Sequence, residues 1–220
     1  MQRPVLLNAI DAAKRAKAVE AAAQIIREGG IVAYPTESFY GLGADPANEQ
    51  AIECLFRLKG RPGNRPILLL ISHESQLTDY AEEIPGPAWA LIRAIWPGGL
   101  TLVLKAKQGI SPRLTAGTGK IGLRLSSDPV ATALVRAVGT AITSTSANKS
   151  SRPACLSAEH VIRDLGEEVD AVLDGGQSPG GPGSTVLDMT EEPPRPLRQG
   201  MVSIKEIQRI LGQGLYHISD

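Results

Sequence analysis

The sequence predicts an α/β fold, a twisted mixed sheet with flanking helices, and three observations carry that expectation. Segments with apolar residues at helical spacing alternate along the chain with short apolar runs of strand length. Glycine and proline punctuate nearly every junction between them. The strand runs also differ in type, some continuously apolar and some alternating, which favours a mixed sheet over a purely parallel one.

Asp11 to Glu28 opens the series: Ala12, Ala16, Val19, Ala23 and Ile26 share one face, Asp11 stands at the N-cap and Gly29 at the end. Ile31 to Tyr34 follows as a buried strand halted by Pro35, then Asn48 to Leu58 as a helix carrying Ile52, Leu55 and Phe56 on one face. Ile67 to Ile71 reads as a strand, Trp89 to Ile95 as a helix, and Leu100 to Lys105 and Ile121 to Leu125 as strands. Pro129 to Val138 is a helix with proline in its first turn, Ala141 to Thr145 a strand, and Ser157 to Leu165 a capped helix. Val169 to Leu173 and Thr185 to Asp188 complete the strands, and Ser203 to Leu211 the helices. The Gly/Pro-rich stretch from Gly175 to Gly183 reads as a surface loop approaching a ligand. One domain over residues 1–211 and a loosely held tail over 212–220 are expected.

Composition narrows the function classes. Hydrophobic residues at 42% and charged residues at 21% exclude a disordered chain, and 23 Lys+Arg against 23 Asp+Glu supply no net field for nucleic acid. Cys54, beside Leu55 and Phe56, reads as a core thiol, and no disulfide with Cys155 is expected. Residues 1–8 lack a signal-peptide pattern and Ile67 to Ile71 is too short to cross a bilayer, so a cytoplasmic protein without membrane contact is expected.

Three familiar patterns carry no chemistry here. Gly117 to Gly122 matches G-x-G-x-x-G but leads into a strand, without the helix N-terminus that binds a pyrophosphate, and Leu114 breaks a Walker A reading. Ser146-Ala147-Asn148-Lys149 matches S-x-x-K without the companion motifs of an acyl-serine enzyme. His73, His160 and His217 show no metal spacing.

Cations and small hydroxyl residues instead concentrate in a few loops: Pro35 to Gly43, Lys59 to Pro66, Ser144 to Asn148, and Gly183 to Thr185. In an open α/β sheet such loops converge in the crevice outside the strand ends. Lys59, Arg61 and Arg65, stiffened by Pro62 and Pro66, suit a polyphosphate; they equally suit a solvated cluster at a helix C-terminus. Ser144 to Asn148 has turn chemistry as its plain alternative.

Six segments in order, Gly29 to Gly43, Lys59-Gly60-Arg61-Pro62, Trp96 to Thr101, Ser144 to Asn148, Ser184-Thr185-Val186 and Leu197 to Gly200, resemble the YrdC-type threonylcarbamoyl-AMP synthase family. The resemblance implies a YrdC-like sheet with a concave ligand-binding face. It implies an L-threonylcarbamoyladenylate synthase, a nucleotidyltransferase condensing L-threonine, bicarbonate or CO₂ and ATP to threonylcarbamoyl-AMP and pyrophosphate. The product would pass to a partner transferase that modifies adenosine 37 of tRNA, with Mg²⁺ required. By the same resemblance Lys59 and Arg61 are the catalytic candidates. Lys59, Arg61, Arg65, Lys120, Ser146, Asn148 and Arg198 bind ATP, and Ser38, Arg124, Ser144 and Ser184 bind threonine.

The chain departs from the family pattern at several positions. Ser38 replaces the usual Thr and keeps its hydroxyl; Leu70 stands where some members place a histidine near threonine; Lys120 replaces a small hydroxyl residue; Arg65 stands at a frequent Asn. The C-terminal domain of longer relatives is not expected in this chain. Glu37 and Asp45 lie near the right loop for a metal, without a spacing that assigns either. The competing readings are a non-catalytic double-stranded RNA-binding module, with tRNA contact, and a paralogue that adenylates another carbamate.

Overall fold

Helix ends follow local chemistry. Asp11, Asn48, Asp128, Ser157 and Ser203 each accept first-turn backbone N–H groups through their side chains. Gly60, Gly139 and Gly212 close three helices in the left-handed conformation that glycine adopts without cost.

The computed structural model describes residues 3–60, 63 and 65–212. Its strands are β1 (Val5–Asn8), β2 (Val32–Tyr34), β3 (Gly41–Gly43), β4 (Leu68–Ile71), β5 (Leu100–Lys105), β6 (Lys120–Leu125), β7 (Ile142–Ser146), β8 (Ala171–Asp174), β9 (Thr185–Asp188) and β10 (Arg195–Arg198). Its helices are α1 (Ala12–Arg27), α2 (Glu49–Lys59), α3 (Leu77–Tyr80), α4 (Gly86–Ile95), α5 (Pro112–Thr115), α6 (Pro129–Val138), α7 (Ala158–Asp164) and α8 (Ile204–Leu211). The strands form one ten-stranded sheet in the order β1-β8-β2-β3-β7-β4-β6-β5-β9-β10. It is mixed: β1–β8, β8–β2, β4–β6 and β5–β9 are parallel pairs and the others antiparallel. No helix among the described residues is long and apolar enough to cross a membrane.

Strands β1, β3 and β10 escape the sequence reading for physical reasons. β1 and β10 are edge strands, mostly exposed, and β10 contains a proline tolerated only at an edge. β3 is Gly41-Leu42-Gly43, poor in strand propensity, yet both glycines are required by the Tyr34 ring. A Cβ would stand 3.0 Å from Tyr34 Cζ at Gly41 and 3.0 Å from Tyr34 Cε1 at Gly43. Cys54 is only partly buried on α2; the buried thiol is Cys155, and both are free.

Alternation along the strands divides the interior in two. One face sends Leu69, Ile71, Leu102, Leu123 and Leu187 into a core with α2, α4, α7 and α8. The other sends Val32, Tyr34, Leu70, Ile142, Ala171 and Leu173 into a second core beneath α1 and α6. That second cover does not extend over the rest of its face, and the site lies there.

The Thr185 hydroxyl ties the chain after β10 to the sheet, accepting from Gly200 N at 2.8 Å and Val202 N at 3.1 Å and donating to Val202 O at 2.5 Å. A Cβ at Gly200 would overlap the backbone of Gly183 and Ser184, which has no rotamer to escape by. Gly200→Ala is expected to lower stability by roughly 1–3 kcal/mol or more, read as a lower urea midpoint with an unchanged slope.

Candidate functional site

The uncovered half of the face carries polar residues where its neighbours carry apolar ones. On β7, Ile142 faces α6 while Ser144 and Ser146, on the same side, face open space; on β4, Leu70 is covered and Leu68 is not. With Arg124 of β6 and Val186 of β9 they floor a cavity of about 490 Å³. Loops complete its walls with Thr36, Ser38, Phe39, Gly183 and Ser184, and Arg65 and Arg198 line it as well. The cavity therefore rests on the middle of the sheet face as well as on the strand ends that the sequence reading favoured.

Arg124 is the most deeply placed cation of the cavity, 5% exposed. Its Nη1 donates to Glu37 Oε1 at 2.5 Å, and Ser126 Oγ donates to Glu37 Oε2. No described residue accepts from its Nε or Nη2. A buried guanidinium with an unused donor edge on a cavity suits a bidentate anion such as a carboxylate. Around it stand hydroxyls. Thr36 Oγ1 accepts from Ser38 N at 3.2 Å and Phe39 N at 3.3 Å and so fixes the Ser38 turn. Burial pushes the Tyr34 hydroxyl up to about 12, so it stays protonated and donates to Thr143 O at 3.3 Å.

Arg198 reaches the cavity through a break in register. Pro196 pairs with Leu187, but Arg198 pairs with Val186, so Leu197 is an extra residue bulged outward. Paired residues of an antiparallel ladder share a face, which puts Arg198 on the same side as Val186. Its Nε and Nη2 donate to Ser184 O at 3.0 and 2.8 Å, and Nη2 to Ser184 Oγ at 3.2 Å. Partial burial first, and the charge of Arg124 second, hold it below the ordinary guanidinium value. Ser184 Oγ also shares a proton with Thr101 Oγ1 at 2.8 Å, a buried contact that the sequence reading did not anticipate.

Seven predicted residues thus line one cavity: Ser38, Arg65, Arg124, Ser144, Ser146, Ser184 and Arg198. Lys59 and Asn148 lie behind it. The Lys59 ammonium, 2% exposed, donates to Ser146 O at 2.5 Å, Asn148 O at 2.8 Å and Asn148 Oδ1 at 3.1 Å. Ser146 Oγ donates to the same Oδ1 at 2.6 Å. In this structure Lys59 holds the turn that presents Ser146. Arg61 lies outside the described residues.

Lys120 is a correction. It stands on the cavity side of β6 but beyond the cavity, where its Nζ meets Asp188 Oδ2 at 2.7 Å and Glu191 Oε1 at 3.5 Å. Leu70 likewise lies under α6, so the cavity-facing residue of β4 is Leu68. The carboxylates near the loop are committed: Glu37 to Arg124 and Ser126, and Asp45 to Ala47 N at 2.8 Å. Among the described residues no group of three His, Cys, Asp or Glu side chains is placed to hold a metal ion.

Comparison with known proteins follows this geometry. Residues 24–200 match the Sua5/YciO/YrdC family model, whose description reads "Telomere recombination". The chain is 38% identical over 199 residues to the threonylcarbamoyl-AMP synthase of Pyrococcus abyssi, covering 90% of this chain and 58% of that protein. It is 40% identical over 192 residues to the threonylcarbamoyl-AMP synthase of Bacillus subtilis, covering 87% and 56%. The chain thus spans little more than half the length of these curated relatives. The crystal structure of P. abyssi Sua5 complexed with L-threonine superposes with a TM-score of 0.92 at 36% identity, over 96% of this chain and 62% of that one.

Asp188 is 3% exposed. Burial alone would raise its pKa, but Lys120 and the N–H and O–H of Thr190 outweigh burial and hold it below the usual carboxylate value. Its stabilisation is present above the unfolded value near 4 and is lost as pH falls through the folded value. Asp188→Asn is expected to cost about 1–3 kcal/mol at neutral pH, with the difference from wild type shrinking below about pH 4 in urea titrations across pH.

Proposed function

The chain belongs to the Sua5/YciO/YrdC family, and from that premise we propose that it is an L-threonylcarbamoyladenylate synthase, condensing L-threonine, bicarbonate or CO₂ and ATP into threonylcarbamoyl-AMP and pyrophosphate. The observation that carries this reading is Arg124, a buried guanidinium pinned on one side by Glu37 and open on the other to a cavity lined by hydroxyls. The threonine carboxylate takes the Nε–Nη2 edge, which fixes the direction of the amine. Ser38, Ser144 and Ser184 hold the rest of the amino acid.

The neutral amine forms a C–N bond to CO₂ and loses a proton to solvent, giving an N-carboxylate. An oxygen of that carboxylate bonds to the α-phosphorus of ATP as the bond to pyrophosphate breaks. Such a displacement needs alignment and nearby positive charge more than a proton acceptor, which accords with a cavity rich in guanidinium and hydroxyl groups. Arg65, Arg198 and Ser146 of the cavity meet the nucleotide, the family resemblance adds Arg61 to them, and Lys59 acts through the Ser146–Asn148 turn that it holds. Mg²⁺, brought with ATP as part of the substrate, would offset phosphate charge, and no protein ligand is assigned to it. The product passes, in the cytoplasm, to a transferase that modifies adenosine 37 of tRNA.

Pyrophosphate release from ATP by the purified chain is expected to require threonine and bicarbonate together. Release that ignores both points to a different carbamate, and no release at all to a non-catalytic binding module. Arg124→Lys is expected to raise the threonine KM at least tenfold, equivalent to about 1.4 kcal/mol, because an ammonium cannot offer two parallel donors; an unchanged KM in a folded variant removes the carboxylate from Arg124.

A further inference from the structure

A cavity that takes both an amino-acid carboxylate and a triphosphate must keep each on its own cation. Arg65, Arg124 and Arg198 line the same space, and on charge alone the polyphosphate would claim the most buried guanidinium, where attraction is least screened. Arg124 is that guanidinium. What distinguishes it from Arg198 is the company each keeps.

Behind Arg124, outside the cavity lining, Glu37 is itself nearly buried, its side chain 11% exposed, with Oε1 2.5 Å from Nη1. Ser126 Oγ donates to the other oxygen and accepts from Asp128 N at 3.1 Å, so the carboxylate is braced against the first turn of α6. The pair is close to neutral as a unit and still offers two donors in a plane. Arg198 has no carboxylate partner among the described residues; only Ser184 accepts from it, through Oγ and the backbone carbonyl. One wall therefore carries a shaped but compensated site and the other an uncompensated charge.

We propose that Glu37 is a specificity-determining residue that, as the buried counter-charge of Arg124, reserves that guanidinium for a monoanionic carboxylate and leaves the polyphosphate to Arg198. Discrimination of this kind works by removing attraction for the wrong ligand. It rests on the assignment of threonine and ATP to this cavity made above.

The test is calorimetric titration of the full chain with L-threonine and with inorganic tripolyphosphate, a stand-in for the phosphates of ATP, singly and together. In the wild type each is expected to bind with an affinity changed by less than about threefold by the other. In Glu37→Gln, which keeps the shape and loses the charge, tripolyphosphate is expected to bind about tenfold more tightly and to displace threonine competitively. Glu37→Asp, restoring the charge, is expected to return tripolyphosphate to the wild-type level. A Glu37→Gln protein that still binds both together, with wild-type tripolyphosphate affinity, overturns the proposal; a merely structural ion pair would give that result.

The double variant E37Q/R124Q, which strands no buried charge, carries the test if the single variant does not fold. It is expected to lose threonine and to keep tripolyphosphate within about threefold, whereas a larger loss of tripolyphosphate means that Arg124 was holding it and overturns the proposal. Wild-type protein that binds neither ligand overturns the assignment of the cavity and this inference with it.

Discussion

The structure depends on an unequal covering of one sheet. Every strand has two faces, and a face must be buried by helices or made fit for water and ligands. Helices cover one face of this sheet, but α1 and α6 cover only part of the other. Where α6 stops, residue type changes along single strands, from Ile142 to Ser144 and Ser146 on β7. The polar residues there are arranged so that each buried charge has a partner. Arg124 has Glu37, Asp188 has Lys120, and the Lys59 ammonium has the oxygens of the turn beside the cavity. The site is the uncovered remainder of the fold, made safe by pairing.

That pairing explains why the cations play unequal parts. Lys59 and Arg124 are almost equally buried, yet the contacts of Lys59 named above go to the turn, while Arg124 keeps an edge for the cavity. A lysine offers three donors from one point and suits a cluster of carbonyls; an arginine presents a flat fork with separate edges and can serve two neighbours at once. The residue types at the two positions are therefore not interchangeable, although each contributes one positive charge.

The local features were legible in the sequence because their causes are local. The caps at Asp11 and Ser157, the helix starts at Asn48 and Ser203, the helix from Pro129 to Val138 and the strands at Leu100 to Lys105 and Thr185 to Asp188 all come from neighbouring residues. β3 was not legible, because its glycines answer to the Tyr34 ring and not to strand propensity. Most of the cavity residues were named through family resemblance, since periodicity gives the side of a strand and not the extent of the helix lying over it. Leu70 and Lys120 show the difference: each has the right side and the wrong place along its strand. Glu37 was noticed only as a possible metal ligand, because nothing nearby in the chain announces a partner 87 positions away.

The bulge at Leu197 has a consequence for how this surface can change over evolutionary time. The guanidinium of Arg198 faces the cavity because Leu197 is bulged out of the ladder on an edge strand; in regular register Leu197 would pair with Val186 and Arg198 would fall on the opposite side. Flattening the bulge at unchanged chain length would shift parity, turn the arginine to the opposite side and leave the composition, the helices and both cores nearly intact. Divergence at this edge is thus gated by backbone register as well as by residue identity. A descendant with every named residue preserved but the bulge ironed out would keep the fold and present a different face.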